Sequence, residues 1–203
     1  IIAGRVGPYS DVGTGADGSI WVSGYSINHG DLVVAKADGP GRIPVEKWEY
    51  VDGVPDGPVL IPDSKIRGGI DASGEDVGMW TSIAVNSASE PMVTYFDKDT
   101  SSLRFAHKVG DTWQKHVIQQ GTGKMLGEQD GLLVGMFTSL TLRSDDGRPG
   151  VAYLALVKDA QGARAEVRYA AAQVPNPTSS ADWMLFIVDS APLPPEDPQS
   201  PNV

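Results

Sequence analysis

Short runs rich in Val, Ile, Thr, Tyr and Phe alternate along the chain with compact clusters of Gly, Pro, Asp, Asn and Ser. No apolar period of 3.6 residues survives more than two turns, so the runs predict strands and not helices. In the middle of the chain they predict strands over 80–86, 91–97, 103–109 and 112–119. The turn signals "SASEP", "DKDTSS" and "VGDT" part them. Asp17-Gly18 and Asp146-Gly147 are hairpin signals at matched places between a first and a second strand.

The pattern is written three times. "VGMWTSIAV" at 77–85 returns as "VGMFTSLTL" at 134–142, and "VGPYSDVGT" at 6–14 is a third version. Downstream, "PMVTY" (91–95) answers "PGVAY" (149–153), with "IWVSG" (20–24) as a looser form. "LRFAHK" (103–108) answers "DLVVAK" (31–36) and "EVRYAA" (166–171), and each copy carries one late tryptophan: Trp48, Trp113 and Trp183. Gly7 to Ala35 and Gly78 to Ala106 both span 28 residues, whereas Gly135 to Ala170 spans 35, the excess falling in the polar "KDAQGAR" hairpin tip. Val203 stands in register with Val77 and Val134, and this predicts a cut within a longer repeat array.

A repeated four-stranded antiparallel unit is the signature of a β-propeller blade. The motif Val-Gly-x-aromatic-Thr-Ser, then Pro-x-Val-x-Tyr, Leu-x-x-Ala and Trp, resembles the repeat of bacterial secreted or surface β-propellers. The resemblance implies an all-β chain of three blades at 6–51, 77–119 and 134–190. Connections at 52–76 and 120–133 and a Pro-rich linker at 191–203 would join or flank them. Three blades do not circle an axis, so the expected partners include further blades from the same precursor or a second copy of the chain. "TGADGSIW" (14–21) keeps Gly18 and Trp21 of the sialidase Asp-box but has Ala16 where its aspartate belongs, so sialidase chemistry is not implied.

Composition narrows the functions. With 16 basic against 26 acidic residues, the net charge of −10 argues against nucleic acid, which needs a basic face. No cysteine is present, which excludes disulfides, thiolate chemistry and Cys-based zinc sites. No apolar run is long enough to insert in a membrane. The opening "IIAGRVG" predicts a processed or excised piece, and the tail "APLPPEDPQSP" (191–201) reads as an extended linker. Together these predict a secreted, periplasmic or cell-surface location.

Tyr9, Trp80 and Phe137 hold the same slot near the start of the innermost strand. They would either ring a channel face and stack on a ligand such as a sugar, or wedge between blades. Packing is favoured, because aromatics dominate buried area in such interfaces. The long connection carries an apolar knot, Val59, Leu60 and Ile61, followed by Lys65 and Arg67. It is expected to fold onto a neighbouring blade or a partner. Asp97 and Asp99 offer oxygens of the kind calcium takes, but they lack EF-hand spacing, and turn chemistry accounts for them more simply. No cofactor is expected beyond that. His107 and His116 would face one another across a tight hairpin, yet two imidazoles without a carboxylate make a poor metal site. No nucleophile elbow or phosphate-binding loop is present. The expected function is a non-enzymatic module that presents loops to a protein or glycan. The alternatives are a polysaccharide hydrolase or lyase with acidic catalytic residues and a purely structural subunit.

Overall fold

A computed structural model describes residues 8–57, 67–123 and 130–194. The described chain is all-β, built as three four-stranded antiparallel sheets with no closure between any two edges. Each sheet is a meander in chain order. The first holds β1 (Asp11–Thr14), β2 (Ile20–Ser26), β3 (Asp31–Ala37) and β4 (Trp48–Asp52). The second holds β5 (Val77–Val85), β6 (Pro91–Asp97), β7 (Ser102–Val109) and β8 (Thr112–Gln119). The third holds β9 (Gly131–Leu142), β10 (Pro149–Asp159), β11 (Gly162–Ala172) and β12 (Trp183–Pro192). The expected hairpin glycines, Gly18 and Gly147, both take positive φ in their turns.

The sheets stack face to face in chain order. Val77, Ile83, Val93, Tyr95 and Ala106 of the second pack against Trp21, Leu32 and Val34 of the first. Val134, Leu140, Val151, Tyr153 and Trp183 of the third pack against Met92, Leu103, Phe105 and Ile118 of the second. Each strand of the second sheet thus sends alternate side chains to opposite cores, as the two-residue strand period requires.

Glycine sets how close the sheets come. Gly78 (φ 104°) and Gly135 (φ 103°) open their inner strands in a backbone region that β-carbons disfavour. A β-carbon on Gly78 would stand 2.7 Å from the Leu32 α-carbon, and one on Gly135 would stand 2.9 Å from that of Leu103. Beside each glycine a backbone bond ties the new sheet to the old: Val77 N–H donates to Gly30 O (2.8 Å) and Val134 N–H to Ser101 O (3.0 Å).

Strand register shows that two of the three late tryptophans are equivalent. Trp113 lies opposite Lys108 and Trp183 opposite Ala172, matched positions in their sheets. Trp48 lies opposite Ala35, two places along the ladder from that slot. His107 pairs with Gln114 and His116 with Phe105, so the two histidines are not directly opposite. His116 Nε2 accepts from Trp183 Nε1 at 2.9 Å across the second interface, while His107 sits 3.6 Å from Glu90.

Two predictions follow from these interfaces. Gly135→Ala should cost about 3 kcal/mol, because strain and a backbone clash add. Gly147→Ala, at φ 72° with open space around it, should cost about 1 kcal/mol. Chemical denaturation of the two variants reads the contrast, and equal losses would refute the close-approach account. Burial holds both His107 and His116 below the ordinary imidazole value of 6.5, with Glu90 and Asp182 respectively opposing it. The unfolded chain therefore binds protons more readily, so the stabilisation is full above 6.5 and is lost as the pH falls below it. The melting temperature should drop between about pH 7.5 and about pH 5. His116→Gln, which keeps an acceptor for Trp183, should flatten part of that drop.

Candidate functional site

The Val-Gly-x-aromatic motif makes a bulge. After Gly78 the pairing of β5 with β6 slips between Val77 and Met79 and again before Ser82, and β9 slips against β10 in the matching place. The residue that absorbs the slip takes left-handed backbone: Trp80 has φ 48° and Phe137 has φ 51°. Tyr9, just ahead of β1, has φ 63°. Left-handed backbone is uncommon for any residue with a β-carbon and is a real outlier for bulky ones. Three of the six such residues in the described chain are these aromatics.

The bulge brings the three rings together. Tyr9 and Trp80 have centroids 5.2 Å apart, and Trp80 and Phe137 5.1 Å apart. Trp80 also meets Phe96 edge-on at 5.2 Å, and Tyr9 meets Tyr25 at 6.1 Å. The outcome is a row of three rings over a floor of two, Tyr25 and Phe96, both buried. Phe137 is 62% exposed and Tyr9 38%, with Trp80 partly buried between them. The row bridges neighbouring sheets and also faces solvent.

One end of the row is polar. Tyr25 donates to Asp76 Oδ1 at 2.7 Å, and Lys98 Nζ donates to Asp76 Oδ2 at 2.7 Å. Burial and the Asp76 carboxylate push the Tyr25 phenol well above its ordinary value, so it stays a donor. Asp99 accepts from the Asp76 N–H at 2.9 Å. Asp97 is fully buried, capping Thr100 through its N–H and hydroxyl and pairing with Arg104 at 2.7 Å. Asp97 and Asp99 therefore serve different turns, and no group of three metal-ligating side chains occurs among the described residues.

Arg67 lies buried on the first sheet. Its guanidinium bonds Asp31 through Nε (2.6 Å) and Nη2 (3.1 Å), and Nη1 reaches the carbonyls of Ile70 and Ala72. Val59, Leu60, Ile61 and Lys65 lie outside the described residues.

At the opposite end of the sheets a cleft of about 630 Å³ opens between the β5–β6 and β9–β10 turns. Asn86, Glu90, Arg143, Asp145 and Asp146 are among its lining residues. Arg143 bonds Asp145, which lies below the ordinary carboxyl range, and Gly110 N–H holds Glu90 below it too. Asp17, Asp52, Asp159, Glu166 and Asp182 are also lowered. A general acid at neutral pH needs the opposite shift.

Sequence reasoning found the aromatic slot but not Tyr25 or Phe96. The signal for Tyr25 and Phe96 was present, since each stands near the end of a second strand, just before the turn that borders the row. No protein-family model matches the chain, and neither does any curated protein sequence.

The strained backbone gives a test that needs no ligand. Replacing an exposed aromatic at positive φ by glycine removes strain of about 1–2 kcal/mol and adds about 0.5–1 kcal/mol of unfolded-chain entropy. Phe137→Gly should therefore leave the melting temperature unchanged or raise it slightly. A clear loss of stability would show that the ring is needed chiefly for packing.

Proposed function

We propose that the three sheets are blades of a β-propeller sector, and that the sector is a non-enzymatic binding module of a secreted or surface protein. Its ligand is a neutral glycan, stacked along Tyr9, Trp80 and Phe137. The carrying observation is that the same repeat slot holds an aromatic in all three copies, each in left-handed backbone that glycine would adopt without steric strain. Strain kept three times over at an exposed row is the mark of a functional surface.

Aromatic faces suit the apolar faces of sugar rings, and the Asp76, Asp99 and Lys98 end supplies acceptors and a donor for hydroxyls. The net charge of −10 disfavours polyanionic glycans. Glu90 and Asp145, which line the cleft, are both held below the ordinary carboxyl range, and this supports binding over hydrolysis there.

Trp80 reports on the site by its own fluorescence. Titration with cello-, xylo- and chito-oligosaccharides should quench or shift its emission for at least one series. Phe137→Ala should weaken that binding at least about tenfold, the scale of losing one stacking partner. Absence of binding across neutral glycans would refute the ligand class, and release of new reducing ends would refute the non-enzymatic reading.

A further inference from the structure

The two interfaces within the chain are built from the same contacts, and each series of contacts points to a next member on a bare face. First, the inner-strand glycine of one sheet seats on a leucine of the third strand of the sheet before: Gly78 on Leu32, Gly135 on Leu103. Both leucines are fully buried, and the residue in their slot on the third sheet is Val167, which is 45% exposed. Second, Ile83 N–H donates to Asp11 Oδ2, and Leu140 N–H donates to Ser82 Oγ, each at 3.0 Å. The next acceptor in that slot is Ser139, which is exposed. Third, Tyr95 donates to Asp52 at 2.8 Å and Tyr153 to Gln119 at 2.5 Å. The next acceptor is Asp189, again exposed. Around them, Tyr169 and Phe186 stack at 6.3 Å where Phe105 and His116 lie buried or half-buried in the second sheet.

The opposite face of the first sheet carries the complementary half. Val12 matches Ile83 and Leu140, which are buried in the interfaces, yet it is 60% exposed, with Ile20 exposed beside it. Its N–H, the donor of the second series, bonds the side chain of its neighbour Asp11 at 2.8 Å. A carboxylate–arginine pair marks the face as well. Asp31 with Arg67 here occupies the strand position of Glu166 with Arg168 on the third sheet. One element has no counterpart: Gly24 stands where Tyr95 and Tyr153 donate, so Asp189 would keep its solvent.

We propose that the bare face of the third sheet is the docking surface for the first sheet of a second copy of this chain. The pairing is head to tail and occurs twice, so that two chains close a ring of six sheets. Unlike contacts of this kind either close or propagate into filaments, and six sheets fall within the range at which propellers close. The proposal rests on the propeller reading above, but its readout is particle mass, which is independent of whether the aromatic row binds a glycan.

Native mass spectrometry and light scattering on the 203-residue chain test it. The expected particle is twice 21.5 kDa. Val167→Arg and Val12→Arg, both at exposed positions, should each weaken pairing at least about tenfold, the effect of spoiling a central interface residue. Circular dichroism shows whether each variant folds, and Val167→Glu repeats the test with the opposite charge. Mixing the Val167→Arg and Val12→Arg proteins should restore pairing in part, because one intact third sheet then meets one intact first sheet. A wild-type chain that stays monomeric overturns the proposal. So does a dimer indifferent to Val12→Arg, which would mean that like faces pair.

Discussion

Two sheets can approach only as closely as their bulkiest meeting point allows, and here that point is a glycine lying on a leucine backbone. Gly78 against Leu32 and Gly135 against Leu103 bring one main chain directly over another. That proximity lets Val77 and Val134 reach a carbonyl of the preceding sheet and lets Tyr95 and Tyr153 span the gap. It also dictates the bulge. A strand entering at positive φ must recover its register, and the recovery places Trp80 and Phe137 in left-handed backbone at one end of the stack. The core spacing and the aromatic row therefore have one cause.

The interfaces share this frame and differ in filling. Between the first and second sheets Asp52 is a buried hub that accepts from Tyr95, Arg104 and Lys115. Burial alone would raise its proton affinity, but those donors hold it below the ordinary range. Between the second and third sheets Gln119 stands in the slot of Asp52 and accepts from Tyr153, and beside it Phe105, His116 and Trp183 form a cluster with ring centroids 5.3–6.3 Å apart. A charged network of this sort is strong only while every member is present, whereas the aromatic cluster draws on area and a single hydrogen bond.

Much of this was legible in the chain before any coordinates. The repeat of Val-Gly-x-aromatic announced the inner strands, and the second sheet lies within three residues of the strand limits read from turn residues. Left-handed φ at an aromatic was not legible, because nothing in the identity of Trp or Phe signals it. It arises from the glycine two residues earlier, through tertiary contact. Trp48 misled for a similar reason, since a late tryptophan in three copies looks equivalent until the ladder shows it two places out of register. The connection carrying Arg67 was expected to fold onto a sheet or a partner, but the identity of its contact, Asp31, 36 positions away, was not legible, because no local pattern encodes that pair.

The different fillings have a bearing on how a repetitive chain avoids folding wrongly. Three similar sheets invite mistakes in which the third settles on the first and omits the second. In such a stack Tyr153 would still find Asp52, and Arg168 could stand in for Arg104. The position of Lys115, however, is taken by Leu185 in the third sheet, as their shared place opposite Ala106 and Ala170 shows. Asp52 would lose its ammonium partner and face a leucine instead, leaving a buried charge poorly matched. One lysine thus distinguishes the native order of the sheets from one that the hydrophobic pattern alone would accept.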